Sequence, residues 1–531
     1  DELATKKYDV VIAGVFGLDQ RPERYYNISN QLIDFLNRLI RNNNTIVTWY
    51  GNPYSINKVN ILEEAEGLIL AYQDNIYVED MAAQLIFGAI GAKGSLPVTI
   101  NKKYPYGYGI ITPGNLRVRY GYPESVGVDS KTLEGKIDSL VNIGLTKKAF
   151  PGCEVMIAKD GTVIFNKTYG YHEYDNRIAV KEDDLYDLAS VTKVTSTLPC
   201  LMKLDSENLF SVDKKVGDYV LYFDGSDVGD LYMKDLLTHQ AGLAAWIPFW
   251  QSTVNKKGEL KKSVFRTERQ GTFSIPVAEN LYMNKKHIRK MFKQIKQSEL
   301  TEHGKYVYSD LGLILSKYAV EDITGDNIEK YVDSVIYKPL GINDIVFNPL
   351  NKYPLNRIVP TEMDNDFRKQ QIHGTVHDET AAMFGGIAGH AGLFSTANDL
   401  MKLMEMYRRM GSYGGEQIID ADVMKRYTTT QFPENGNRRA LGFDKPLLDN
   451  ASYPKESAYP CQAVSQESFG HSGFTGTFVW VDPTYGISYV FLCNRVYPTR
   501  DNNLLSQLNI RTEILQSVYE SMIDKKENLL F

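Results

Sequence analysis

Two periods take turns along the chain: short runs in which apolar and polar residues alternate, and longer runs in which apolar residues recur at helical spacing. Tyr8 to Phe16 reads as a strand, Ser29 to Ile40 as an amphipathic helix, Thr45 to Trp49 and Gly67 to Tyr72 as further strands, and Val78 to Ala89 as a second helix. Strand and helix in alternation predict an α/β unit with a buried, largely parallel sheet. Residues 101 to 128 lose both periods, with Pro105, Pro113 and Pro123 set among glycines and a cluster of tyrosines. A free tether would favour glycine and serine, so this aromatic stretch is expected to be a strap packed on both neighbours.

The pattern then resumes with a helix from Ser130 to Ile143. Pro151 to Lys159 and Gly161 to Lys167 follow as strands around an Asp160-Gly161 turn, which predicts a hairpin. Near the other end, Thr477 to Val481 and Ile487 to Leu492 read as strands, and a helix starts at about Leu504. Strands at both ends with helices between predict a sheet whose first and last parts pair across the domain. Residues 251 to 270 are charged and irregular and read as a solvated insertion.

At 531 residues the chain should hold about two to four units. Its 43% hydrophobic and 23% charged residues are ordinary globular values. A net charge of -6 without a basic stripe excludes nucleic acid as an expected partner, and no apolar run approaches the length of a membrane span. Cys153, Cys200, Cys461 and Cys493 are isolated, which argues against a zinc ribbon or a dense disulfide scaffold. The start, Asp1 to Lys7, has neither an initiator methionine nor a signal pattern, and looks like the cut end of a longer protein.

The chemistry-bearing stretch is Tyr186-Asp-Leu-Ala-Ser-Val-Thr-Lys193. Residues three apart share a helical face, so a helix opening near Ser190 would bring the Lys193 amine to the Ser190 hydroxyl and activate it as a nucleophile. Pro199 should bend or end that helix. Tyr308-Ser-Asp310 precedes an apolar helical run, Leu311 to Ser316, so the Tyr308 hydroxyl could relay a proton from a helix start. His471-Ser472-Gly473 precedes a strand; Gly473 allows close backbone approach, and His471 could shuttle a proton as a neutral ring or bind a carboxylate as a cation. His373 and His377 stand four apart beside Asp378 and Glu379, but Gly374 and the loop-like surroundings, like those of His390, favour a turn over a zinc-binding helix. Neither metal nor cofactor is expected.

Together Ser190-Val-Thr-Lys193, Tyr308-Ser-Asp310 and His471-Ser-Gly473 resemble the serine β-lactamase and penicillin-binding protein superfamily, class C branch, over roughly residues 120 to 525. Leu236-Leu-Thr-His-Gln-Ala-Gly-Leu243 and Gly392-Leu-Phe-Ser-Thr-Ala397 look like landmarks of the same family. The resemblance implies Ser190, Lys193, Tyr308 and His471 as catalytic, Asp310, Ser472, Gly473 and Phe474 as substrate-binding, and the N–H groups of Ser190 and Phe474 as the oxyanion hole. This chain departs from that family at Asp310, where an amide is usual, and at His471, where a lysine is usual, which argues against true β-lactamase activity. Gly374 to Glu379, Gly385 to Leu393 and Pro360-Thr-Glu362 resemble amidases of peptidoglycan recycling, which implies cleavage of peptide from N-acetylmuramic acid. An esterase, a D-aminopeptidase or DD-peptidase, β-lactamase activity, and a non-catalytic cell-wall-fragment or penicillin-binding module are the alternatives.

Residues 1 to 105, most clearly Ala82 to Gly88 and Gly94 to Ile100, resemble the second, α/β-sandwich domain of family-three glycoside hydrolases of the β-N-acetylglucosaminidase type. The catalytic barrel of that family is missing and could belong to the longer protein. The expected organisation is therefore mixed α/β and α+β: a partial α/β sandwich at 1 to 105, a linker at 106 to 128, and a β-lactamase-like serine hydrolase domain with an antiparallel sheet and flanking helices at 129 to 531. The implied substrate is a peptidoglycan fragment, which places the expected site of action in the bacterial cell envelope, periplasmic or secreted.

Overall fold

A computed structural model describes residues 7–523. It divides into two compact units between Arg119 and Tyr120. In the first, β1 (Val11–Val15), α1 (Asn30–Asn42), β2 (Thr45–Trp49), β3 (Gly67–Leu70) and α2 (Ile76–Ile86) follow one another. The sheet runs β1-β2-β3, parallel throughout, with Val11 opposite Thr45 and Ile46 opposite Gly67. Parallel neighbours need a crossover. The amphipathic α1 supplies the first, capped by the Ser29 hydroxyl, which accepts from the Leu32 N–H at 3.1 Å. Leu36 and Ile40 of α1 are buried in one cluster with Val47 and Trp49 of β2. Residues 91–100 carry no strand.

The second unit is built on α3 (Ser130–Thr146), the hairpin β4 (Gly152–Lys159) and β5 (Thr162–Gly170), then α4 (Leu198–Ser206), α5 (Leu311–Thr324) and α6 (Ala397–Arg408). It returns to strands at β6 (Phe469–Ser472), β7 (Phe478–Asp482) and β8 (Ile487–Cys493), and ends on α7 (Ile510–Glu520). Asp160 and Gly161 join the hairpin with φ of 51° and 80°, the left-handed pair that a two-residue hairpin turn demands. Within the second unit the large sheet runs β6-β7-β8-β4-β5. First and last strands do pair: β8 lies antiparallel to β4, from Ile487 opposite Lys159 to Cys493 opposite Cys153.

One face of this sheet packs on α3 and α7, where Leu133, Ile137 and Val141 meet Trp480, Tyr489, Ile514 and Val518. The other faces α6, and there the Ser488 hydroxyl of β8 donates to the buried Glu405 carboxylate at 2.7 Å. Segment 251–270 is mostly exposed, as its charge predicts, but Val264 and Phe265 are buried and anchor it. Phe265 belongs to a short three-stranded sheet with Phe273–Ala278 and Leu281–Asn284. The four cysteines are buried and free.

Candidate active site

Ser190 lies in a tight turn, Ala189–Val191, between the short strand Tyr186–Asp187 and α4. Ala189 is held at φ 45°, a left-handed conformation that alanine seldom adopts. Its N–H donates to Asp187 Oδ1 at 2.8 Å, while Asp187 Oδ2 accepts from the His377 N–H at 2.6 Å. Lys193–Thr197 then form a π-helical turn that runs directly into α4.

Pro199 does not end the helix: it stands in the first turn of α4, directly after the π turn. Pro199 has no N–H to offer the Thr195 carbonyl at the α spacing or the Val194 carbonyl at the π spacing. Two buried tyrosines from elsewhere in the chain take them: Tyr407 donates to Val194 O at 2.6 Å and Tyr337 to Thr195 O at 2.8 Å. Buried carbonyls are thereby satisfied, and the segment carrying the lysine is bolted to two other parts of the fold.

Lys193 is completely buried. Its Nζ lies 2.7 Å from Ser190 Oγ, 2.7 Å from Asp310 Oδ1 and 3.3 Å from the His390 carbonyl. The Asp310 contact is an ion pair by distance rather than a well-directed hydrogen bond. Three oxygens around one nitrogen suit an ammonium, which has three donors and no lone pair. Burial alone would favour the neutral amine, but the Asp310 carboxylate and the Tyr308 oxygen outweigh it and hold Lys193 above the ordinary lysine value.

Tyr308 Oη lies 3.1 Å from Ser190 Oγ, so the serine hydroxyl has two hydrogen-bonding neighbours, Lys193 and Tyr308. The Tyr308 ring is set by cations and rings, with Lys193 Nζ 5.1 Å and the Arg439 guanidinium carbon 5.6 Å from its centroid and the His239 ring at 4.5 Å. His239, within the expected landmark at 236–243, accepts the Ser309 N–H on Nδ1 at 3.1 Å. Burial, then Arg439 and Lys193, push its pKa well below the usual histidine value. His239 therefore serves as a neutral brace behind the Tyr308 turn.

His471 is buried on β6, with its ring 6.2 Å from that of Tyr308. Its Nδ1 lies 2.8 Å from the Ser472 carbonyl, and its Nε2 lies 3.4 Å from Arg439 Nη2. A carbonyl only accepts and a guanidinium only donates, which assigns the neutral tautomer with the proton on Nδ1. Burial, then Arg439 and Lys193, lower its pKa to about 3. Of the two alternatives open from sequence, the cationic His471 is thus disfavoured and the neutral ring favoured. The fixed cation on this side is Arg439, buried and paired with Asp444 at 3.1 Å; Asp444 also takes Arg438 at 3.0 Å and the Tyr459 hydroxyl at 2.8 Å. Arg439 carried no signal in the sequence, because it lies in an irregular segment outside every motif.

The strand end after His471 is pressed against the nucleophile turn. A Cβ on Gly473 would stand 2.1 Å from Thr477 Oγ1 and 2.5 Å from Leu188 O, so only glycine fits there. Thr477 donates to Leu188 O at 2.9 Å and Thr475 to Asp187 O at 2.7 Å, which fixes this loop on the backbone just before Ser190. The Phe474 carbonyl accepts from Arg495 Nε at 2.8 Å, and its half-exposed ring lies over the cleft. Ser190, Tyr308, Asp310, Ser472, Gly473 and Phe474 all line one cavity of about 450 Å³. Arg495, Arg500 and Arg511 line it too. Arg500 is neutralised by Glu362 at 2.6 Å and Glu379 at 2.8 Å, whereas Arg495 and Arg511 are held by backbone carbonyls and have no carboxylate partner among the described residues.

The histidines weighed for zinc do not share a helix. His373 Nε2 bonds the Ile358 carbonyl at 2.6 Å, and His377 Nε2 bonds Glu362 at 2.8 Å. His390 belongs to the glycine-rich loop 385–392, where Gly389 packs so closely on α5 that a Cβ would stand 2.0 Å from Leu313 O. That approach aims the His390 carbonyl at Lys193. Asp378, Asp310 and His390 bring one ligand atom each to within 4.8 Å of one another, a different grouping from the His373 and His377 pair considered from sequence.

The beta-lactamase family model matches residues 137–512. In Escherichia coli strain K12, a protein described as "Putative D-alanyl-D-alanine carboxypeptidase" is 29% identical over 442 residues, 76% of this chain and 93% of that relative. Its counterpart in strain O157:H7 is 30% identical over 412 residues, 71% and 88%. Among solved structures, the octameric penicillin-binding protein homologue from Pyrococcus abyssi superposes with a TM-score of 0.53 at 20% identity, covering 74% of this chain and 78% of that one. EstCE1, a hydrolase with promiscuous acyltransferase activity, superposes at 0.52 with 17% identity, covering 72% and 99%.

Proposed function

Because the chain belongs to the beta-lactamase family, a family of serine hydrolases, we propose that it cleaves an amide of a peptidoglycan fragment through an acyl-enzyme on Ser190, most specifically the bond between the muramyl lactyl group and the stem peptide. The observation that carries the chemistry is the convergence on Ser190 Oγ of Lys193 Nζ at 2.7 Å and Tyr308 Oη at 3.1 Å, both within hydrogen-bond reach of a nucleophile. In this reading Tyr308 takes the Ser190 proton as it passes its own phenol proton to the departing amine nitrogen, so the C–N bond breaks as the Ser190 ester forms, and Lys193 holds positive charge beneath the developing alkoxide. The N–H groups of Ser190 and Phe474 receive the tetrahedral oxyanion, a donation worth about a hundredfold or more in rate per donor. Neutral His471 orients the Ser472 peptide and keeps Arg439 near the phenol. Arg495 and Arg511, without carboxylate partners, suit the acidic groups of a stem peptide.

The match to relatives named D-alanyl-D-alanine carboxypeptidase favours a second reading, cleavage between the terminal D-alanines. In either case the reaction belongs to the bacterial envelope. The parallel β1-β2-β3 sheet supports the reading of residues 1–105 as a partial α/β sandwich of the glycoside hydrolase type, with 106–128 as linker and 129–531 as the hydrolase. Incubation with an intact muropeptide, a D-alanyl-D-alanine peptide and a short-chain ester, followed by mass spectrometry, separates the readings. Release of the whole stem peptide, abolished in Ser190→Ala, is expected; release of D-alanine alone would move the assignment to the second reading, and ester cleavage alone would remove both.

A further inference from the structure

Cys153 and Cys493 stand about 340 residues apart in sequence, yet β4 and β8 set them directly opposite each other at the end of their antiparallel ladder. The kind of pair they form follows from two backbone hydrogen bonds. The Asp160 N–H donates to the Gly486 carbonyl at 2.7 Å, and the Tyr171 N–H donates to the Pro151 carbonyl at 3.0 Å. Along a strand, successive residues turn their N–H and C=O to opposite neighbours, so the even-numbered residues of β4 bond to β8 and the odd-numbered ones near Cys153 bond to β5. The register of β4 with β8 runs without a shift from Lys159 to Cys153. Cys153 and Cys493 are therefore a non-hydrogen-bonded pair. Such pairs hold their Cα atoms about 4.5 Å apart with the side chains close together on one face, inside the range of about 4.4 to 6.8 Å that a disulfide spans. Both thiols belong to one buried cluster with Phe150 and Phe491, and the bond can close by side-chain rotation without moving either strand. Cys461 shares that cluster and Cys200 lies in α4, but neither is in a strand, so no ladder sets them opposite another cysteine.

Inside the closed sheet the thiols are poor nucleophiles. Burial pushes the Cys493 thiol up to about 12, and burial followed by the neighbouring Cys493 pushes Cys153 well above its ordinary value, whereas only a thiolate attacks a disulfide. While β8 is still unpaired, both thiols are in water with ordinary acidity. We propose that Cys153 and Cys493 are a modification site: as the chain folds they exchange with a small-molecule disulfide to form a cross-strand disulfide that staples β4 to β8. One cysteine thiolate attacks the small disulfide, breaks its S–S bond and displaces one small thiolate, leaving a mixed disulfide. The second cysteine thiolate attacks the protein's own sulfur in that mixed disulfide and displaces the other. The two cysteines lose two electrons and two protons, which end on two small-molecule thiols. The bacterial envelope proposed above is a compartment where disulfides persist, and the pairing does not depend on which amide is cut.

The full chain, unfolded and reduced, is refolded in parallel with oxidised glutathione and with dithiothreitol. Remaining thiols are alkylated after denaturation, and peptides are mapped by mass spectrometry without reduction. Refolding with oxidised glutathione should give a linked pair of peptides joining Cys153 to Cys493, two hydrogens lighter than the separate peptides, with Cys200 and Cys461 alkylated. The linked form should melt about 5 °C above the form refolded with dithiothreitol, and that difference should vanish in Cys493→Ser. Alkylation of both Cys153 and Cys493 after refolding with oxidised glutathione would overturn the proposal. So would a link between any other two cysteines, or a link that leaves the melting temperature unchanged. The peptide map is made on the parent chain, so it decides the pairing even if Cys493→Ser does not fold.

Discussion

Two basic side chains flank the Tyr308 ring, and they handle charge in opposite ways. One, Lys193, is buried yet kept cationic, because Asp310 sits 2.7 Å from it and two further oxygens complete its donors. The other, His471, is buried and kept neutral, because the nearest strong charge is the Arg439 guanidinium, whose own compensation by Asp444 lies behind it. Burial works against the charged form in both cases. What differs is the sign of the neighbour, and that neighbour lies far away in sequence each time. A basic residue in a motif therefore does not declare its charge until the chain folds.

The strongest way to break this contrast is to remove the charged side chain. Lys193→Met should lower kcat/KM by about a hundred- to a thousandfold, the range for removing one pre-aimed charge from a transition state, with the fold preserved by circular dichroism. A fall of only a few-fold would mean that the buried cation is structural.

Asp310→Asn sharpens the comparison, because it leaves Lys193 in place and takes away the group that keeps it charged. Asp310 raises the Lys193 pKa, so the variant should lose its ammonium at lower pH. The alkaline limb of kcat/KM should move toward neutrality, with a loss of about ten- to a hundredfold at pH 7. A gain in activity at neutral pH would show instead that the neutral amine is the working form.

At the neutral side chain smaller effects are expected. His471→Asn keeps a polar side chain of similar reach and should cost less than about tenfold. His471→Lys would place a second cation within 3.4 Å of Arg439 and should lower the melting temperature instead of improving capture of acidic substrates. The smallest expected effect is none: with a pKa near 3, His471 is deprotonated at every pH from 5 to 8, so kcat/KM should show no step near 6.5 that disappears in His471→Asn. Such a step would restore the cationic reading.

The elements with strong local patterns were legible in the sequence. Thr45 to Trp49 is a strand with those bounds, the Asp160-Gly161 turn makes its hairpin, and the apolar run after Asp310 is a helix. The Ser190 and Lys193 spacing also gives the expected contact, since three residues of helical turn set it locally. Less legible was everything decided at long range. Pro199 reads as a residue that bends or ends its helix, but α4 runs on through it, with Tyr337 and Tyr407 donating to the carbonyls of the turn before it. Arg439 and Arg495 sit in irregular stretches and Arg511 in the first turn of α7, none of them in a motif, although they set the electrostatics of the cleft. His390 reads as a loop histidine, and its carbonyl and ring acquire partners only where the glycine-rich loop packs on α5.

The pairing of β4 with β8 also governs when the cleft can exist during synthesis. A nascent chain delivers Ser190, Lys193 and Tyr308 long before the strand that β4 needs, and the segment carrying Gly473 and Phe474 arrives just ahead of that strand. Until Cys493 reaches its place opposite Cys153, the central sheet presents an open apolar edge, the kind of surface that invites mispairing and chaperone capture. Formation of this sheet is consequently a late, long-range event, of the sort that folds slowly. The proposed catalytic groups Ser190, Lys193 and Tyr308 emerge early, and the frame that brings them together is closed almost last.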